Sequence, residues 1–145
     1  MKHAIVAGVF LIANVAGPVL GAPCTASPGY SQLSGSQIQS LLVGNTACYP
    51  VIAPYTNQEY LSGGYITDYK KGLSDPIDPS KKIGTYVIDN GQGGEIVYTY
   101  TGNPNSTFTY TVWGPVTGNE YDFCVGSTPL AGGPVRIASG GPVAC

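Results

Sequence analysis

Between residues 83 and 125 apolar and polar residues alternate at every second position, the pattern of strands with one buried face. Ile96, Tyr98 and Tyr100 share one side of a segment. Phe108, Tyr110 and Val112 share a side of the next, and Tyr121, Phe123 and Val125 a side of the one after. The opposite sides carry Val97, Thr99 and Thr101, then Thr107, Thr109, Thr111 and Trp113. This pattern predicts strands over 83–89, 95–101, 107–113 and 120–125, preceded by one from Tyr65 to Lys70. The stretches 89–94, 102–105 and 114–119 are rich in Gly, Asn, Asp or Pro and read as connections. Connections this short join antiparallel neighbours. Val135 to Ala138 is a candidate sixth strand, at an edge, inside a Gly/Pro-rich tail that repeats Gly-Gly-Pro-Val at 132–135 and 140–143 and otherwise reads as a loop.

Ahead of the strands the period changes. Ile38, Leu41 and Leu42 recur at helical spacing. Ser34 and Gln37 have the spacing of a capping box, Leu33 and Ile38 that of a hydrophobic staple, and Gly44 suits a left-handed closing residue. A helix is expected over Gly35 to Val43, covering one end of the core. The expected fold is therefore mainly β: a small antiparallel meander forming a curled sheet or open barrel of five to six strands, with one short N-terminal helix. An aromatic interior fixes register, because a slip of one residue would expose it.

The first 21 residues change the picture. Lys2 and His3 precede the apolar run Ala4 to Val15, and Val19-Leu20-Gly21 form a small-residue exit. That is the pattern of a secretory signal peptide. Asn14, Gly17 and Pro18 break the run below the length of a membrane span, about 20 residues. A single domain over 22–145 is expected to remain, secreted or periplasmic, with no membrane span. His3 is the only histidine, so the trimmed chain would have none. That excludes Ser-His and Cys-His nucleophilic sites and imidazole metal ligation. Six basic residues stand against eight acidic ones, and no basic patch points to nucleic acid.

Cys24, Cys48, Cys124 and Cys145 are an even set in a chain read as exported, which implies two disulfides. Sequence proximity favours Cys24–Cys48 and Cys124–Cys145, each closing a loop of about twenty residues worth roughly 3 kcal/mol. The crossed arrangement, Cys48–Cys124 with Cys24–Cys145, is the rival. No two cysteines stand two to four residues apart, so a thiolate zinc site is not expected. The twin Asp-Pro loop 71–81 has too few oxygen ligands at calcium spacing. No metal or cofactor is expected.

Catalysis by paired carboxylates needs two acids in one cleft. Glu59, Asp68, Asp89, Glu95 and Glu120 are the candidates, none in a sequence setting that predicts burial, and Asp122 alternates toward water. The eleven tyrosines and the single tryptophan are the other inventory, amphipathic rings of the kind used at binding surfaces. Tyr65, Asp68, Tyr69 and Lys70, together with Trp113, form the candidate binding site. Asn105-Ser106-Thr107 matches a glycosylation sequon, relevant only in a eukaryotic source.

Several pieces of the chain carry a resemblance. They are Gly63-Gly64, Asp68-Tyr69-Lys70-Lys71-Gly72, Gly84-Thr85-Tyr86, Val97-Tyr98-Thr99-Tyr100 and Tyr121-Asp122-Phe123-Cys124, with Leu41 to Cys48 as a lead-in. Over most of residues 22–145 the chain resembles a group of small exported bacterial β-rich proteins of uncharacterised function. The resemblance implies a single exported β domain, similar to lipocalin-like or avidin-like folds by shape analogy alone, and supplies no catalytic residues. The expected function is a non-catalytic binding module for an unknown protein, glycan or small apolar molecule. The alternatives are a surface or filament subunit pairing through strand edges and a histidine-free hydrolase.

Overall fold

The computed structural model describes residues 22–50, 57–68, 81–91, 93–102, 106–141 and 145. The expected leader, Tyr69, Lys70, the body of the Asp-Pro loop and Asn105 lie outside the described residues. The elements are β1 (Ser31–Gln32), α1 (Gly35–Leu42), β2 (Thr46–Tyr49), β3 (Asn57–Ser62), β4 (Tyr65–Asp68) and β5 (Lys81–Asp89). Then come β6 (Glu95–Tyr100), β7 (Thr107–Thr117), β8 (Glu120–Val125), β9 (Thr128–Pro129) and β10 (Val135–Ala138).

The expectation of a mainly β chain with one short helix holds; its five to six strands do not. Eight strands close a fully antiparallel barrel in the order β7-β6-β5-β4-β3-β2-β10-β8 and back to β7. β1 adds to β7 and β9 to β8 as short extensions. β10, expected at an edge, pairs with both β2 and β8 and so supplies the closing strand. β7 runs on through Gly114–Thr117, a stretch expected to be a loop, and pairs there with β8 after a register shift. Closure leaves no long unpaired edge in the barrel.

Alternation sorts the side chains. Leu61, Ile66, Ile96, Tyr98, Val112 and Phe123 point inward and are buried. One end of the barrel is plugged by α1, whose Ile38 and Leu42 are buried and which packs on β5 and β6. The capping box is formed: the Gln37 N–H donates to Ser34 Oγ (3.4 Å) and the Ser34 N–H to Gln37 Oε1 (2.8 Å). Gly44 follows at φ +83°, the left-handed conformation glycine tolerates.

Two chain ends strap the outside of the barrel, and they correct the expected disulfides. The bonds are Cys24–Cys124 and Cys48–Cys145, matching neither the favoured pairing nor its rival. The lead-in crosses the outer face of β7 and β8 instead of returning to the end of α1, so Cys24 meets Cys124. The tail leaves β10 beside β2, where Cys145 reaches Cys48 and its N–H donates to Gln58 Oε1 on β3 (3.4 Å). These straps bury outward-facing residues, Thr46, Cys48 and Gln58 under the tail and Asp122 and Cys124 under the lead-in. Asp122, expected to face water, is 7% exposed and accepts a hydrogen bond from the Tyr30 hydroxyl at 2.7 Å. Two disulfides fit an oxidising, non-cytoplasmic compartment. Among the described residues no helix is long and apolar enough to cross a membrane.

Candidate functional site

An eight-stranded barrel has an interior that side chains just fill or that holds one small ligand. Here the filling is incomplete at the end opposite α1. A cavity of about 100 Å³ is lined there by Tyr49, Tyr98, Tyr100, Tyr110 and Phe123, with Glu59 among the rings and Ala47, Asn57, Leu130 and Val135 completing the wall. The lining follows from register. Tyr98 and Tyr100 lie on the inward side of β6, Tyr110 on β7 and Phe123 on β8, as their alternation predicts. The rings hold one another: Tyr98 meets Tyr110 edge-on at 5.7 Å and Tyr110 meets Phe123 at 5.8 Å.

Glu59 is inward because it alternates with Leu61 on β3. Its cross-strand partner on β4 is Asp68, so the two carboxylates project from adjacent strands to the same side. The Tyr100 hydroxyl donates to Glu59 Oε1 (2.9 Å) and Oε2 (3.2 Å). Burial is the dominant influence on Glu59 and pushes its carboxyl from an ordinary 4.5 up to about 7. The Tyr100 hydrogen bond works against that rise and the negative charge of Asp68 adds to it. Tyr98, Tyr100 and Tyr110 are each pushed above the ordinary tyrosine value, first by burial and then by the charge of Glu59.

A larger depression of about 590 Å³ lies outside the barrel, between α1 and the Gly114–Pro115 stretch. It is a wide-open groove lined by serines, leucines, Gln37 and Tyr121, with no carboxylate or amine among the described residues. The smaller cavity is the candidate site because it is the one that encloses a perturbed ionisable group.

The residues singled out from sequence are dispersed. Tyr65 lies on the outer face of β4, 46% exposed, with the Lys82 ammonium 3.7 Å from its ring centre. Asp68 alternates with buried Ile66 and faces the interior beside Glu59. Trp113 is on the outer face of β7, stacked on Tyr30 at 5.9 Å, and its indole N–H donates to Thr111 Oγ1 at 2.9 Å. Tyr30 and Trp113 thus bind the lead-in to the barrel. Of the described members of that set, Tyr65, Asp68 and Trp113, Asp68 alone stands beside a residue of the cavity lining. Glu59 went unsingled among the acids; the alternation Asn57-Glu59-Leu61 was the available signal.

No family model matches the chain, and neither a curated protein nor a solved structure matches it.

Proposed function

We propose that the protein is an exported, non-catalytic binding module whose ligand seat is the aromatic cavity at the end of the barrel opposite α1. One observation carries the reading: a recessed space of about 100 Å³ walled by five aromatic rings with the buried Glu59 carboxylate among them. Interiors are normally packed to crystal density, and small-ligand sites are concave, mostly apolar and furnished with a few convergent polar groups. Among the ligand classes expected from sequence, a small molecule is the one this geometry favours. Export rests on the leader pattern and accords with the two disulfides.

The test fills the hole. Ala47 lines the cavity and is 7% exposed, so Ala47→Leu should occupy the space without breaking the ladder. A small-fragment screen by ligand-detected NMR should yield compounds that shift the ring resonances of Tyr98 and Tyr110 in the wild type and lose that effect in Ala47→Leu. A screen in which no compound perturbs those rings overturns the reading.

A histidine-free hydrolase is a second reading, favoured by the Glu59–Asp68 pairing. Glu59 would carry a proton near neutral pH as a general acid, with the Asp68 carboxyl opposite it on β4 as the second acid. Turnover of oligosaccharides that disappears in both Glu59→Gln and Asp68→Asn would establish it in place of the binding module. The filament alternative draws on exposed edges, and closure leaves two-residue β1 and β9 as ladder ends.

A further inference from the structure

Resting on the reading of the cavity as a ligand seat, we propose that the ligand presents a small organic ammonium group, held among the rings of Tyr49, Tyr98 and Tyr110 against the Glu59 carboxylate. The cavity lining contains five aromatic rings and one carboxylate, and among the described residues no lysine or arginine. The face of an aromatic ring is the negative pole of its quadrupole, and cations are drawn to it. A buried carboxylate without a cation bears a large desolvation cost that an incoming positive charge offsets.

Burial and the Glu59 charge hold Tyr98, Tyr100 and Tyr110 in their neutral form. The same field opposes an anionic ligand. An uncharged apolar ligand would leave the carboxylate with the Tyr100 hydroxyl as its partner and draw nothing from the field. Size points the same way. About 100 Å³ holds the volume of roughly three waters, enough for a methylated ammonium head. Phe108, 43% exposed, precedes Tyr110 on the inward side of β7, and Val125, 53% exposed, follows Phe123 on β8. They offer exposed apolar surface next to the rings of Tyr110 and Phe123 for the remainder of such a ligand.

The groups facing Glu59 are Asp68 from β4, with Lys81 opposite Asp68 in register on β5, Tyr49 from β2, Tyr98 and Tyr100 from β6, and Tyr110 from β7. The probe is tetramethylammonium, which has no proton to lose, so any pH dependence of its binding belongs to the protein. Its control is neopentyl alcohol, a neutral body of similar size. Titration calorimetry on the full chain should show tetramethylammonium binding about tenfold more tightly at pH 8 than at pH 6 as Glu59 ionises. Glu59→Gln should remove that pH dependence and weaken binding at pH 8 by about tenfold or more, while neopentyl alcohol binds both proteins equally and so reports that the variant is folded. Neopentyl alcohol binding without tetramethylammonium binding overturns the cation and leaves the cavity reading standing. Binding of neither overturns the ammonium proposal, and the fragment screen alone then decides whether the cavity is a ligand seat. Tetramethylammonium binding that ignores both pH and Glu59→Gln places the cation elsewhere and overturns the proposal.

Discussion

The hydroxyl of Tyr100 donates to both carboxylate oxygens of Glu59, at 2.9 and 3.2 Å, among the aromatic rings at the barrel end opposite α1. A hydrogen bond to a carboxylate favours its ionised form, yet the Glu59 carboxyl is pushed up to about 7. Burial therefore outweighs the hydrogen bond, and the pair is a compromise between filling the barrel with rings and keeping the Glu59 carboxyl among them.

That compromise has a sign. In the unfolded chain Glu59 titrates near 4.5, and in the folded barrel near 7. Below the lower value both states are protonated and Glu59 costs nothing. Between the two the native state binds the proton more tightly, so its contribution to stability falls as pH rises, and above about 7 the loss is complete. The full loss is on the order of 3 kcal/mol. Urea denaturation from pH 4 to 8 should show Glu59→Gln close to wild type at the acid end and more stable than wild type at the alkaline end. Parallel curves would show that Glu59 is not buried as described.

The straps make a covalent prediction. Cys24–Cys124 spans 100 residues and Cys48–Cys145 spans 97. Loops this long should each contribute roughly 4–5 kcal/mol in the chain-entropy picture, more than the twenty-residue loops expected from sequence. Non-reducing peptide mapping should recover the fragment holding Cys24 joined to that holding Cys124. The double variant Cys24→Ala with Cys124→Ala should melt far below wild type. A Cys24–Cys48 peptide would refute the path of both straps.

Much of the fold was legible where one physical signal dominates. The strands over 83–125 announced themselves through alternation, and α1 through Ser34, Gln37 and Gly44. β2 and β3 were not legible, because Asn57-Gln58-Glu59 reads as a polar loop. It is a strand because its outer side is roofed by the tail and its inner side carries Glu59 into the cavity. The lead-in does the same to Asp122 and Trp113, which alternation puts on the outer side and which Tyr30 covers. Local pattern reports which side of a strand a residue is on; it does not report what another part of the chain lays over that side. The disulfides failed for the same reason, since pairing follows the path of the two ends and not their spacing. Glu59 was overlooked as a site residue because burial of a carboxylate is a tertiary fact.

The lead-in strap depends on one relay. The Cys24 N–H donates to the Tyr30 hydroxyl at 2.9 Å, and that hydroxyl donates to Asp122 Oδ2 at 2.7 Å. Tyr30→Phe keeps the ring on Trp113 and removes both hydrogen bonds, leaving a buried carboxylate oxygen and a backbone donor without them. The expected cost is about 1–3 kcal/mol. The control Tyr65→Phe, at an exposed ring, should change stability by less than about half a kcal/mol. Equal effects in thermal melts would mean that the relay contributes nothing.

The plugged end of the barrel turns on two glycines in backbone contact. A Cβ on Gly94 would overlap the backbone nitrogen of Gly35, and one on Gly35 would overlap Asn90 and the Asp89 carbonyl oxygen. Neither clash involves only the tip of a flexible side chain, so no rotamer relieves it. Gly94→Ala should therefore push α1 off the β5–β6 turn. Overpacking of this kind costs about 1–3 kcal/mol, and this case belongs at the upper end. Gly118→Ala is the contrast. Gly118 has φ +53° and open space around it, so the cost is backbone strain of about 1 kcal/mol with no displaced neighbour. The readout is hydrogen exchange. Gly94→Ala should deprotect the amides of α1, whose Ile38 and Leu42 lose their burial, while Tyr98 and Tyr110 at the far side of the interior keep theirs. Unchanged protection in α1 would mean that the helix reaches the barrel through contacts other than the Gly35–Gly94 approach.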